Sequence, residues 1–180
     1  MAISNLASAD FIKGTLDTTG ITLFGYGSGT NGAPVFDANG LAYIGKTPLD
    51  GAAGTQTNIT VTPSSDISKP WQVHANSSTT SFNKILDFND ILYMYIIPSS
   101  ASFEQVGFAT ISDVPAGGVT TGFTLFGKSV AYAASESSYQ LGFWALATNT
   151  TGVYGLYWNA GTALEGAFPV TIKSTPPTVV

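Results

Sequence analysis

Thr18-Thr19-Gly20-Ile21-Thr22-Leu23-Phe24-Gly25 returns 102 residues later as Thr120-Thr121-Gly122-Phe123-Thr124-Leu125-Phe126-Gly127, identical at seven of eight positions. In each copy Thr-Gly opens a turn, because glycine reaches backbone angles that other residues avoid. The run that follows carries the β-branched and aromatic side chains that suit a pleated, half-buried surface. The closing glycine marks a bulge or a tight exit. The unit is turn, strand, turn, and its recurrence predicts an internal duplication.

A second element trails each copy. Gly40-Leu41-Ala42-Tyr43-Ile44-Gly45 and Gln140-Leu141-Gly142-Phe143-Trp144-Ala145 place their leucines 18 and 16 residues beyond Leu23 and Leu125. A degraded version, Gln105-Val106-Gly107-Phe108-Ala109-Thr110, stands between them. The reading is one all-β domain over residues 1–180, with repeat units at about 18–62, 82–112 and 120–175.

Working outward, the turns are better marked than the strands. Asp37-Ala38-Asn39-Gly40 between Val35-Phe36 and Leu41–Ile44 reads as a hairpin with Asn-Gly at its tip. Thr57–Thr62 alternates, with Ile59 and Val61 inward, and stops at Pro63. Trp71–His74 alternates as well. Ile91–Ile97 is apolar on both faces and is expected at the centre, covered on both sides. Ser129–Ala134 is expected to pair with Tyr139–Ala147, followed by strands at Val153–Asn159 and Phe168–Ser174. Met1–Phe11 reads as a helical turn or a frayed arm, and Phe11–Leu16 as a first strand. About a dozen short strands, evenly spaced and without a helical period, predict a sandwich or closed barrel, and the expectation settles on an antiparallel β-sandwich with internal repeats. A β-trefoil is the alternative. Its repeats would be nearly equal, whereas Leu41, Val106 and Leu141 are separated by 65 and then 35 residues.

Composition narrows the function. Charged residues are only 9% of the chain, against about 25% in ordinary soluble domains. The six basic residues are all Lys and the net charge is −5, which excludes the basic field and arginine forks of a nucleic-acid binder. The same balance excludes a polybasic attraction to membranes, and no apolar run is long enough to insert. Without cysteine there is no disulfide, thiolate nucleophile or cysteine-based metal site. The N-terminus lacks a basic n-region and a sustained apolar run, so the expectation is a cytoplasmic protein, released if at all by a non-classical route. The sequons at Asn58, Asn76 and Asn149 then read as coincidence.

Catalysis finds little support. His74 is the only histidine, no Gly-x-Ser-x-Gly elbow is present, and His74 reads as a cross-strand residue. Most acids sit beside Gly, Pro, Asn or Ser, where they serve turns. Asp87 and Asp90 alone flank an apolar strand; they are the candidate metal ligands and the candidate pair for glycoside hydrolysis. No phosphate cradle follows Gly25-Tyr26-Gly27-Ser28-Gly29. No cofactor is expected, and the chain reads as a non-enzyme.

The aromatic residues say more. Neighbours in a strand point to opposite faces, so one of Phe143 and Trp144, and one of Tyr157 and Trp158, must face away from the core. Exposed aromatic faces beside amides and carboxylates suit sugars: the ring stacks on C–H patches while polar groups bond hydroxyls. The candidate ligand residues are therefore Trp144, Trp158 and Tyr157, with Asn149, Asn159 and Glu165 as polar partners.

The run Thr-Thr-Gly-Phe-x-Leu-Phe-Gly, then Leu-Gly-Phe-Trp-Ala, Val-Tyr-Gly-Leu-Tyr-Trp-Asn (Val153–Asn159) and Phe-Pro-Val-Thr-Ile (Phe168–Ile172) resembles small uncharacterised all-β proteins of filamentous fungi. The wider profile is similar to cytosolic fungal lectins, being acidic, free of cysteine and rich in Gly, Ser, Thr and Asn. That similarity implies a non-enzymatic, carbohydrate-binding, lectin-like protein whose partners are glycans. The low charge keeps a second expectation open, a self-assembling structural protein forming homo-oligomers; a glycoside hydrolase is the third.

Overall fold

The computed structural model describes residues 20–51, 54–76, 88, 90–99, 103–135 and 137–178. The expected N-terminal turn and the strand at Phe11–Leu16 lie outside them. Fifteen strands follow in chain order: β1 (Phe24–Tyr26), β2 (Ala33–Ala38), β3 (Leu41–Ile44), β4 (Gln56–Thr62), β5 (Gln72–Ala75), β6 (Leu92–Tyr95), β7 (Glu104–Gln105) and β8 (Gly107–Ala109), then β9 (Phe123–Phe126), β10 (Ser129–Ser135), β11 (Ser138–Gln140), β12 (Phe143–Ala147), β13 (Tyr154–Trp158), β14 (Ala167–Pro169) and β15 (Thr171–Lys173). One turn of 3-10 helix, Ile111–Asp113, interrupts them. Among the described residues no helix is long and apolar enough to cross a membrane.

The β2–β3 hairpin is the hub. Its two-residue turn holds Asn39 at φ 56° and Gly40 at φ 81°, the left-handed pair whose twist matches that of the flanking strands. The Asp37 carboxylate accepts the Gly40 N–H at 2.9 Å, and the Asn39 Oδ1 accepts the Thr55 N–H at 3.0 Å. Near the turn, β2 pairs with β4 and β3 with β8. Further along, β2 pairs with β1 and β3 with β13.

From the turn end a ring closes: β2–β4–β5–β6–β8–β3 and back to β2, antiparallel throughout. The remaining strands flank this six-stranded barrel. From the open end the path runs β3–β13–β12–β14, then through Val170 into β15, and from β15 to β1 and β2. The Val170 N–H donates to the Phe143 carbonyl at 3.0 Å, so β14 and β15 form one extended segment serving both sides. The chain is thus all-β, organised as a closed barrel with outer strands; the strand pattern allows a closed barrel, but the expectation above is a sandwich, with a trefoil as the alternative.

One core fills the inward faces of both circuits. It contains Leu23, Val35, Ile44, Ile59, Val61, Trp71, Val73, Met94, Ile96, Phe108, Phe123, Phe143, Leu156, Trp158 and Ile172 among others. Alternation in β4 puts Thr57, Ile59 and Val61 inside, as the sequence predicts. The Trp71 indole N–H has no hydrogen-bond partner among the described residues. Leaving a donor so costs about 1–3 kcal/mol, set against burial of the whole ring, which also packs on Phe123 at 5.9 Å.

Three expectations are corrected here. The strand covered on both faces is β2, where Val35 and Asp37 face the main core while Phe36 and Ala38 face a second cluster with Val153. In the predicted central segment Ile91 is 58% exposed, and burial begins only at Met94. The near-identical octapeptides are not structurally equivalent either. Leu23 is buried just before β1, which lies between β2 and β15. Leu125 is half-buried in β9, which among the described residues pairs with β10 alone. Gly25, placed where the sequence suggested a bulge, sits inside β1 because a Cβ there would lie 2.7 Å from Ile44 Cδ1.

Asp37 shares the inward face of β2 with Val35 and is 3% exposed. Burial pushes its carboxyl from an ordinary 3.8 up to about 7, partly offset by the Gly40 N–H. The folded chain therefore keeps a proton that the unfolded chain has lost above about pH 4. The stability linked to this group is fully present below that pH, falls as the pH rises towards 7, and is lost beyond. At about 1.4 kcal/mol per pH unit the fall is on the order of 4 kcal/mol. Asp37→Asn, which keeps the acceptor for Gly40, is expected to flatten that fall in urea unfolding measured from pH 4 to pH 8. A parent and variant with parallel curves would contradict the assignment.

Candidate functional site

The register of β12, β13, β14 and β7 decides which aromatic residues face outward. Trp144 pairs with Pro169 on one side and Tyr157 on the other. Tyr157 pairs in turn with Gln105. Directly opposed residues share a face, so Pro169, Trp144, Tyr157 and Gln105 form one row across four strands. Tyr43, Leu146 and Ala167 lie on the same outer face one pair further along, where Gly155 stands opposite Tyr43.

Each member of the row is held. The Trp144 Nε1–H donates to the Asn159 carbonyl at 2.8 Å, and Phe103 meets the indole edge-on at 5.8 Å. Tyr157 leans over Gly155, where a Cβ would lie 2.9 Å from its ring and 3.3 Å from Gln105 Nε2. Gln105 donates to the Ala42 carbonyl at 2.9 Å. Burial raises the Tyr157 phenol, with Tyr43 and then Glu104 adding to the effect. Burial also raises Tyr95, again with Glu104 contributing. Glu104 itself is exposed in β7 and stands opposite Trp158 in the register, on the other face from Gln105.

Trp144 borders a cleft of about 350 Å³, lined by Gln140, Leu141, Gly142, Asn159, Ala160 and Pro169. That volume is at the lower end for small-molecule clefts. Gly142 makes room for it: a Cβ there would lie 2.8 Å from the Asn159 carbonyl oxygen. The predicted strand Tyr139–Ala147 consequently breaks at Leu141-Gly142 into β11 and β12.

The predicted site residues separate accordingly. Trp144 and Tyr157 are adjacent on the outer face. Trp158 is 1% exposed, packed edge-on against Phe143 at 4.8 Å and Tyr132 at 5.6 Å, and is therefore a core residue and not a ligand surface. Alternation required one of Tyr157 and Trp158 to face in, and the larger ring does so. Asn159 is 2% exposed and serves its own loop, its Oδ1 accepting the Gly161 and Thr162 N–H groups. It touches the site through its backbone carbonyl. Asn149 is exposed five residues beyond Trp144, about 16 Å along a strand. Glu165 is exposed in the loop entering β14, whose Ala167 pairs with Leu146, and so it too lies towards the far end from the cleft. Asp87 is outside the described residues and Asp90 is exposed. No group of His, Asp or Glu that could hold a metal occurs among the described residues. His74 shares a 3.0 Å hydrogen bond with Thr62, as a cross-strand residue would.

Gln105, Phe103, Gln140 and Pro169 escaped the sequence reading. Alternation could have placed Gln105 and Phe103 on one face, but the pairing of two-residue β7 with β13 joins segments far apart in the chain and leaves no local signal.

No protein-family model, no curated protein and no solved structure matches this chain.

Two substitutions separate the inward from the outward tryptophan. Trp158→Ala is expected to cost about 3–5 kcal/mol in urea unfolding, the range for truncating a large core aromatic. Asn159→Ala, which removes two loop hydrogen bonds, should cost about 2 kcal/mol. A Trp158→Ala protein as stable as the parent would contradict the inward assignment.

Proposed function

We propose that this is a non-enzymatic, lectin-like carbohydrate-binding protein that acts without a cofactor, its ligand seated on the Trp144–Tyr157 face. The observation that carries the reading is the tethered, half-buried indole of Trp144 at the mouth of a cleft shared by an amide side chain, Gln140, and apolar Leu141 and Pro169. A fixed ring presents its face without losing rotamer freedom on binding. The amides of Gln140 and Gln105 and the phenol of Tyr157 supply donors and acceptors suited to hydroxyls.

The test uses the protein's own optics. Of three tryptophans, Trp71 and Trp158 are buried and Trp144 is half-buried. A glycan-array screen followed by fluorescence titration of the hits is expected to show a change that Trp144→Ala removes, with the far-ultraviolet spectrum unchanged. Hits bound equally by Trp144→Ala would place the ligand elsewhere, and an empty array would reject the reading.

A second reading is self-assembly, favoured by an exposed apolar patch that adjoins the cleft at Leu141. Phe126 is 65% exposed and Tyr139 52% exposed, with ring centroids 5.9 Å apart at the edge of the sheet. Leu141, 52% exposed, follows Tyr139 in the chain. Sedimentation should report a mass above the 18.7 kDa chain that Phe126→Lys lowers; a monomer at every concentration would dismiss it.

A further inference from the structure

Pro169, Trp144, Tyr157 and Gln105 come from four strands that neighbour one another in the order β14, β12, β13, β7. Adjacent strands are about 4.8 Å apart, so the row is about 14 Å long and its two aromatic members are one strand spacing apart. That spacing is close to the repeat of an extended, β-linked pyranose chain. A ligand laid across the strands would therefore meet a new side chain at each successive sugar.

Charge limits the ligand further. Neither the row nor the residues lining the cleft include a lysine. The chain as a whole carries −5. A uronate, sulfate or sialate would meet repulsion with no cation to offset it. At one end Gln105 has its Nε2 engaged with Ala42, which leaves its carbonyl to accept from a hydroxyl. Beside Pro169 and Trp144 the row is bordered by the cleft, which opens along the strands towards Gln140–Gly142 and Asn159–Ala160.

We infer that the Pro169–Trp144–Tyr157–Gln105 row is a binding track for a linear, uncharged oligosaccharide of about three or four β-linked units running perpendicular to the strands. The inference rests on the carbohydrate reading above and adds the ligand's length, direction and charge.

The experiment is a titration of the full chain, followed by Trp144 fluorescence, with cello- and chito-oligosaccharides from one to six units. Oligoglucuronates of the same lengths and the same β-1,4 linkage, made by oxidising C6 of the cello-oligosaccharides, serve as the charged comparison. Affinity is expected to rise about tenfold between one unit and three, the contribution of an added stacked ring, and then to level off. The oligoglucuronates should bind more weakly at each length. Tyr157→Ala should reduce the gain with length to about twofold, while Tyr157→Phe, which keeps the ring, should retain most of it. Equal affinity for one and six units would overturn the track yet keep Trp144 as a sugar site. Oligoglucuronates binding as tightly as neutral chains would overturn the charge assignment. Binding of no oligosaccharide, in a protein whose glycan array is also empty, would remove the carbohydrate reading and the track together.

Discussion

The hydrogen bonding of the β2–β3 hairpin is the constraint on which the rest depends. Both strands use their two edges fully, and they do so differently at the two ends of the hairpin. Near the turn the outer partners are β4 and β8, which close the barrel. At the open end they are β1 and β13, which carry the outer strands. A one-residue slip would exchange the buried and exposed faces of β2. Val35 and Phe36 would trade cores, and both circuits would lose their register together. Specification of that register falls to a two-residue turn, aided by the side chains of Asp37 before it and Asn39 within it.

The outer face follows from the same geometry. The pairing of β3 with β13 fixes Gly155 opposite Tyr43, and β13 then fixes Tyr157 opposite Trp144. The proposed ligand face is thus two pairings removed from the hub. Its own flexibility is limited by tethers to backbone carbonyls, Trp144 to Asn159 and Gln105 to Ala42. Such a face is rigid because strands support it, and polar because its tethers leave other donors and acceptors exposed.

Local chemistry was legible in the sequence and long-range pairing was not. The Asn39-Gly40 turn, the alternation in β4 and the outward position of one residue in each aromatic pair all follow from rules that act within a few residues. The choice of Tyr157 over Trp158 as the outward member depended on which ring the core could use, and that is set by Phe143 and Tyr132 from other strands. The repeated octapeptide misled for a related reason. Thr-Thr-Gly-x-Thr-Leu-Phe-Gly specifies a turn and an extended segment, and the chain uses that segment once between two strands and, among the described residues, once against a single strand. Sequence identity over eight residues fixed the local conformation and left the neighbours free. Asp37 shows the limit from the other side. Its position before Asn-Gly marks a turn residue, which it is, but nothing nearby announces that the same carboxyl faces the main core.

The Asn39-Gly40 turn also bears on how the protein ages. Asn-Gly is the dipeptide most prone to succinimide formation, in which the glycine nitrogen attacks the preceding side-chain carbonyl, and asparagine is thermolabile for this reason. In the folded hairpin the Gly40 nitrogen points its hydrogen at Asp37, while the Asn39 carbonyl is engaged by Thr55. Both reacting groups are occupied and held in fixed directions. The lesion would replace the turn residue by an acidic or isomerised linkage at the one place where both circuits meet. The interval during which the chain is unfolded, more than its time in the native state, then determines how long a population of molecules keeps this architecture chemically intact.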